Sequence, residues 1–299
     1  MNPIIKVAVP IEFDFAINLN YLSRSPDECL YHIQNAKLYK AISAGLNQLM
    51  FEISGDEPGF LGIRSMDDTG SWNPDIQADV IEYVREWFDL DTDLTPFYAM
   101  SKQDAILNKV VERLYGLRTM GIPDLFEALC WGIMGQQINL AFAYVLKRRF
   151  VESFGVQVRK EGISCWLFPT PQRIASLTVQ ELSCLQLTTK KSEYLIGVAR
   201  LIVDGKLNKE MLLEANSFKS AEKMLVSIRG IGPWTANYVL MRCLRFPAAF
   251  PIDDVGLHNA IKSVLELQQK PTLAEIRELS TGWKNWEAYA TFYLWRVLY

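Results

Sequence analysis

Two apolar helical stretches meet at Gly230-Ile231-Gly232 with almost nothing between them. Met224, Leu225 and Ile228 give the first stretch its buried side. Pro233 opens the second, where Ala236, Val239, Leu240 and Cys243 recur on one face. So short a joint forces the two helices into a tight hairpin spanning 224–244. Both glycines can take positive φ, and their bare amides, at the N-terminal end of the second helix, can approach a phosphate. An ordinary corner between two helices would carry the same glycines, so the joint alone does not decide function.

The hairpin belongs to a chain that reads as helical from Asn73-Pro74 onward. Ile76, Val80, Val84 and Phe88 repeat every four residues behind an Asn cap and a proline at the first helical position. Further helices are predicted near 104–116, 124–134, 139–153, 171–176, 178–184, 191–203, 208–214, 220–228, 233–245, 255–266, 272–279 and 285–298, with no strand-like alternation among them. The first 75 residues read differently. Lys6 to Phe13 and Leu46 to Ile53 are rich in β-branched and aromatic residues and read as strands. Ser25-Pro26-Asp27-Glu28 has the form of a helix start, and Gly55 to Gly59 that of a turn. The expected fold is therefore α+β: a small N-terminal domain over 1–75, an antiparallel sheet plus helices, then a large all-α part over 76–299.

Composition narrows the function classes. Lys and Arg number 31 against 34 Asp and Glu, a formal charge of -3, so the chain has no overall basic field. Any nucleic-acid surface must then be local, with Lys147-Arg148-Arg149, Lys190-Lys191, and Arg242 with Arg245 as candidates. The five cysteines are far apart and never C-x-x-C, which argues against a zinc knuckle or a disulfide framework. With only two histidines besides, no metal centre is expected. No run of about 18 apolar residues exists. Met1-Asn2-Pro3-Ile4-Ile5-Lys6 lacks a secretory leader pattern. A cytoplasmic protein with reduced thiols is expected.

After the hairpin comes Phe250-Pro251-Ile252-Asp253-Asp254-Val255-Gly256-Leu257. Either aspartate can cap the helix at 255–266, and a carboxylate at such a terminus also suits a role facing a developing cation. With this segment in place the chain resembles the helix-hairpin-helix superfamily of DNA glycosylases, and within it the bacterial 3-methyladenine DNA glycosylase II family. The anchors are Phe88-Asp89-Leu90, Gly135-Gln136-Gln137, Phe168-Pro169-Thr170-Pro171-Gln172-Arg173, the hairpin through Tyr238, Pro251-Ile252-Asp253-Asp254, and Trp283-Lys284-Asn285-Trp286. Their order and spacing extend the resemblance over nearly the whole chain.

The resemblance implies two helical subdomains flanking a cleft, in a monomer that acts on double-stranded DNA with damaged bases. Asp254 falls at the family's catalytic aspartate. Gly230, Gly232 and Thr235 fall in the hairpin that grips the DNA backbone, where a monovalent cation on hairpin carbonyls commonly assists. Gln136 and Gln137 fall in the loop that enters the minor groove. Gln137 stands at the wedge position, with a solvent-facing loop as the alternative. Trp234 and Tyr238 are i and i+4, so their rings can line one wall, and Trp295 matches another pocket position. Isolated rings of this kind usually belong to the core, where Trp283, Trp286 and Tyr289 are placed.

Strand-cleaving members of the superfamily carry a lysine two residues after the second hairpin glycine; Trp234 stands there. Nor does the chain, to Tyr299, carry the four-cysteine iron–sulfur pattern of some relatives. The implied activity is hydrolytic excision of alkylated purines, of the 3-methyladenine and 7-methylguanine type, by one carboxylate without strand cleavage. A glycosylase of the same fold acting on deaminated or oxidised purines is an alternative. A non-catalytic DNA-binding module is another, although a pure binder needs no pocket.

Overall fold

A computed structural model describes residues 3–44, 47–67 and 72–298. Leu46, expected to open a strand, lies outside them, as do Met1, Asn2 and Tyr299. The N-terminal part runs β1 (Ile5–Ala8), α1 (Phe15–Leu22), β2 (Tyr31–Gln34), β3 (Lys37–Ala44), β4 (Asn47–Glu57) and β5 (Phe60–Ser65). The strands form one antiparallel sheet in the order β1-β5-β4-β3-β2. Alternation sorts its side chains: Leu38, Ile42 and Phe51 join the main core, while Tyr39, Ala41 and Met50 face the other way.

Two local expectations fail here. The first strand ends at Ala8, before Pro10, and the chain turns so that Asp14 caps α1 through Ile17 N at 2.9 Å. Ser25-Pro26-Asp27-Glu28 starts no helix. Glu28 Oε1 instead accepts from the amides of Cys29 and Leu30, while Oε2 is drawn to Lys147 Nζ at 3.1 Å. With β2 beginning at Tyr31, no helical turn fits. The expected turn narrows to Pro58 and Gly59.

The helical part holds α2 (Pro74–Phe88), α3 (Thr95–Ser101), α4 (Leu107–Arg113), α5 (Leu125–Gly135) and α6 (Leu140–Phe154). Asn73 caps α2 at Ile76 N, and Ile76, Val80, Val84 and Phe88 are all buried, as their spacing predicts. Then comes an unexpected hairpin, β6 (Val156–Lys160) and β7 (Ile163–Leu167), turning through Glu161 and Gly162 at φ 49° and 81°. Its Val158 and Cys165 cover the outer face of the N-terminal sheet. After it follow α7 (Pro171–Ala175), α8 (Val179–Ser183), α9 (Thr189–Val203), α10 (Lys209–Leu213), α11 (Phe218–Val226), α12 (Pro233–Arg242), α13 (Val255–Val264), α14 (Leu273–Leu279) and α15 (Glu287–Trp295). One continuous core joins both parts of the chain, and Trp283 and Tyr289 are buried in it with Trp286 packed against it.

Candidate active site

The α11–α12 joint has the expected tightness, and its two glycines differ in use. Gly230 has φ 96°, and a Cβ there would lie 2.2 Å from the Tyr194 ring, so conformation and space both require glycine. Gly232 does not use positive φ. It is extended at φ -89° and forms the N-cap of α12, and a Cβ there would meet nothing within 4 Å. Its open side faces whatever approaches the hairpin from outside.

Gln136 ties this joint to the end of α5. Its Nε2 donates to Gly230 O at 2.9 Å and to Thr235 Oγ1 at 3.0 Å. Thr235 is 1% exposed and packs where α12 crosses α5, 2.7 Å from the place a Gly132 Cβ would occupy. Its hydroxyl thus faces Gln136 inside the protein. Gln137, next along, is exposed and held in the left-handed region at φ 57°.

Asp254 is the aspartate that caps α13; Asp253 sits exposed in the preceding turn. Asp254 Oδ1 accepts from Leu257 N and from Trp295 Nε1, each at 2.8 Å, and Oδ2 accepts from Trp234 Nε1 at 2.8 Å. Three N–H donors suit a carboxylate, which only accepts, and they leave Oδ2 one free acceptor direction. Gly256 makes room for this arrangement, because a Cβ there would lie 2.8 Å from Asp254 Oδ1 and 3.4 Å from Trp295 Nε1. Trp234 stacks on Tyr238 at 5.6 Å and 24°, and Tyr238 meets Trp295 at 6.2 Å. Burial pushes the Tyr238 phenol up despite the nearby Arg242 charge, so it stays neutral, and its oxygen accepts from Arg242 Nη1 at 3.0 Å.

All nine sequence-chosen residues, from Gln136 to Trp295, line one cleft of about 1210 Å³. Contributors not foreseen in this role include Tyr21 and Arg24 from the N-terminal part, Trp131 from α5, Gly256, and Arg296 just beyond α15. A smaller cavity of about 40 Å³ lies behind, sharing Tyr21, Arg24, Trp131, Tyr238 and Arg242 as its wall. Most of the candidate basic surface is spent internally. Lys147 is buried between Glu28 and Glu127, Arg148 pairs with Asp27 and Glu152, and Arg149 bonds Gln186. Lys191 donates to Met134 O at the end of α5, Arg245 to Thr119 O, and Arg242 to Met120 O. Lys190 stays exposed. Among the described residues no three His, Cys, Asp or Glu side chains gather as metal ligands, and no helix is long and apolar enough to cross a membrane.

A helical hairpin beside a capped aspartate in an aromatic cleft defines a class, and comparison with known families agrees: the chain belongs to the HhH-GPD superfamily of base excision DNA repair proteins, matched over residues 130–285. Residues 14–129 match the N-terminal domain of 8-oxoguanine DNA glycosylase. The chain is 52% identical over 299 residues to the DNA-3-methyladenine glycosylase of Bacillus subtilis, covering all of this chain and 98% of that one. It is 32% identical over 180 residues to DNA-3-methyladenine glycosylase 2 of Escherichia coli, 60% of each chain. Among solved structures, the 3-methyladenine DNA-glycosylase from Archaeoglobus fulgidus shares the fold with a TM-score of 0.82 at 22% identity, covering 98% of this chain and 97% of that one.

Proposed function

We propose that this DNA glycosylase flips damaged purines out of duplex DNA and hydrolyses their glycosidic bond, with alkylated purines of the 3-methyladenine and 7-methylguanine type as substrates and Asp254 as the catalytic carboxylate. The observation that carries the reading is the Asp254 carboxylate held by two indole N–H groups at the edge of an aromatic cleft. The 52% identity to a DNA-3-methyladenine glycosylase along the whole chain supports the substrate class.

A base inside the duplex is out of reach, so it must be extruded at a cost of a few kcal/mol, less when damage has weakened its pairing. The hairpin grips the backbone: the free amides at the start of α12 face a phosphate across the open side of Gly232. Carbonyl oxygens of the same hairpin suit a monovalent cation, being hard neutral donors. Gln136 and Thr235 hold the hairpin in register with the α5–α6 loop, which presents Gln137 as the wedge into the minor groove. The extruded base enters the cleft and stacks against Trp234, Tyr238 and Trp295. Alkylation at ring nitrogen leaves a positive charge on the base, so it departs as a neutral molecule without a general acid. Asp254 stabilises the oxocarbenium-like sugar left behind, and the free direction on Oδ2 positions the attacking water. No lysine is among the described residues that line the cleft, which supports hydrolysis by water over attack by an amine. The protein works as a monomer on double-stranded DNA.

Release of free base from duplexes carrying N7-methylguanine or 3-methyladenine tests this. The native protein releases base and leaves the strand unnicked, and borohydride traps no adduct. Asp254→Asn lowers the rate by about a hundredfold or more, while Asp253→Asn, in the exposed turn, stays near native. An unimpaired Asp254→Asn, or a trapped adduct, refutes the assignment.

A further inference from the structure

The inner end of the cleft carries positive charge that base stacking and Asp254 leave unused. Arg24, Arg242 and Arg296 line the cleft and gather round Tyr21, their guanidinium carbons 3.8, 5.7 and 5.7 Å from its ring centre. Arg242 donates to Met120 O and to the Tyr238 hydroxyl. Arg296 Nη2 donates to Asn20 Oδ1, and its buried Nε has no partner. Among the described residues Arg24 donates one hydrogen bond, from Nη1 to Tyr21 O. Every one of these acceptors is neutral, and no carboxylate pairs with any of the three among the described residues. Arg242 is buried and Arg24 and Arg296 are half-buried, and charges even partly withdrawn from water without a counter-charge are unfavourable. Tyr238 links them to the catalytic side: its hydroxyl accepts from Arg242, and its ring stacks on Trp234, which holds Asp254.

We propose that Arg24, backed by Arg242 and Arg296, forms a leaving-group subsite that donates to the acceptor edge of the flipped purine and stabilises the electron pair the base carries away. The proposal rests on the glycosylase reading above. Cleavage breaks the C1′–N9 bond and leaves both its electrons on the base. The water oxygen bonds to C1′, and its proton passes to Asp254 or to solvent. A cationic N7-alkylguanine departs neutral. A neutral purine such as hypoxanthine departs as an anion and then takes up a proton from water. In both cases the base becomes more negative by one charge, which a fixed cation favours. The two differ before cleavage, since the guanidinium repels a cationic base and does not repel a neutral one. From free enzyme and DNA to the transition state, the charge therefore helps the neutral base and nearly cancels for the cationic one.

Single-turnover excision over a range of enzyme concentrations, on one duplex with N7-methylguanine and one with hypoxanthine, gives the maximal rate and the half-saturating concentration. For Arg24→Gln the ratio of the two falls at least about tenfold on hypoxanthine and changes by less than about threefold on N7-methylguanine, where slower cleavage is offset by tighter binding. Arg24→Lys keeps the charge and recovers most of the hypoxanthine loss. Equal losses on both substrates, or no rescue by lysine, overturn the proposal, because packing on Tyr21 would then be all that Arg24 does. Failure of the native protein to release hypoxanthine while it releases N7-methylguanine also overturns it and leaves the glycosylase reading standing. Release of neither base overturns both.

Discussion

Replacing Trp234 by phenylalanine separates two contributions that the same side chain makes. The indole stacks on Tyr238 and donates to Asp254 Oδ2, which accepts from no other N–H among the described residues. Phenylalanine keeps a ring face and removes the donor. The carboxylate then stays pinned at Oδ1 by Leu257 N and Trp295 Nε1, with Oδ2 free to swing away from the sugar. A hydrogen bond to a charged group contributes about 1.5–3 kcal/mol, which corresponds to about ten- to a hundredfold in rate if the orientation it enforces is needed at the transition state. Alanine removes the ring as well, adding the roughly 0.5–1.5 kcal/mol of an aromatic pair, although contributions within one side chain do not add cleanly. Single-turnover excision of N7-methylguanine distinguishes the two. For Trp234→Phe the maximal rate drops by about ten- to a hundredfold while half-saturation moves by less than about threefold, and for Trp234→Ala both worsen. A Trp234→Phe enzyme with native maximal rate would show that Asp254 does not depend on the indole, and the role of the hydrogen bond would be lost.

Gly256→Ala places a methyl group 2.8 Å from Asp254 Oδ1, and the cost of such overpacking, about 1–3 kcal/mol, exceeds the roughly 0.5–1 kcal/mol that alanine adds to a helix. Base release should fall at least tenfold or so with near-native DNA affinity; unchanged release would mean the carboxylate geometry is not critical. Lys147→Met leaves Glu28 and Glu127 buried without their cation and should destabilise by about 3–5 kcal/mol. Burial alone would raise the Glu28 carboxyl, but the Lys147 charge and the Leu30 amide hold it below the usual range, so in the native protein its contribution is complete above that range and is lost as pH falls through the depressed value. Removing Lys147 moves that carboxyl up, so the mutant's native state binds more protons and its deficit shrinks on acidification. Melting at pH 7 and pH 5 measures this, and a deficit that does not shrink rejects the pairing as its source.

What could be read from the sequence follows the range of the physics. Helices with a cap, a proline and a four-residue apolar repeat, such as α2, depend on neighbours in the chain and were legible. So was the bare joint at Gly230-Ile231-Gly232. The β6–β7 hairpin also carries its signal, alternating Val156 and Val158, then Ile163, Cys165 and Leu167, about a Glu-Gly turn, but it is short and lies between long helical stretches. Ser25-Pro26-Asp27-Glu28 misled because its local preference was real but lost to a distant lysine, as Glu28 turned to Lys147. Spacing put Trp234 and Tyr238 on one face, but no spacing reveals that two indole nitrogens converge on one carboxylate, since that depends on side-chain rotation across three helices. Arg24 was invisible for the same reason at longer range.

Asp254 and its two tryptophans come from the C-terminal half of the chain, whereas Tyr21 and Arg24 come from the N-terminal part, so the cleft wall is complete only while α1 is seated against the helical part. That seating is directional as well as apolar. Asn18, wholly buried on α1, donates to Gly116 O at 3.0 Å and accepts from Arg118 N at 2.9 Å, and the Arg118 guanidinium reaches Glu12 and the Asp89 carbonyl. Tyr21 follows Asn18 by one helical turn, and its carbonyl accepts from Arg24. Hydrogen bonds of this kind fix rotation about the helix axis, which apolar packing alone leaves loose. Lys147, bridging Glu28 and Glu127, secures the segment just beyond Arg24, and the β6–β7 hairpin holds the sheet from its far side. On the proposed mechanism the N-terminal part acts through position: a slip of α1 would leave Asp254 and its two tryptophans intact and remove Tyr21 and Arg24 from the cleft wall.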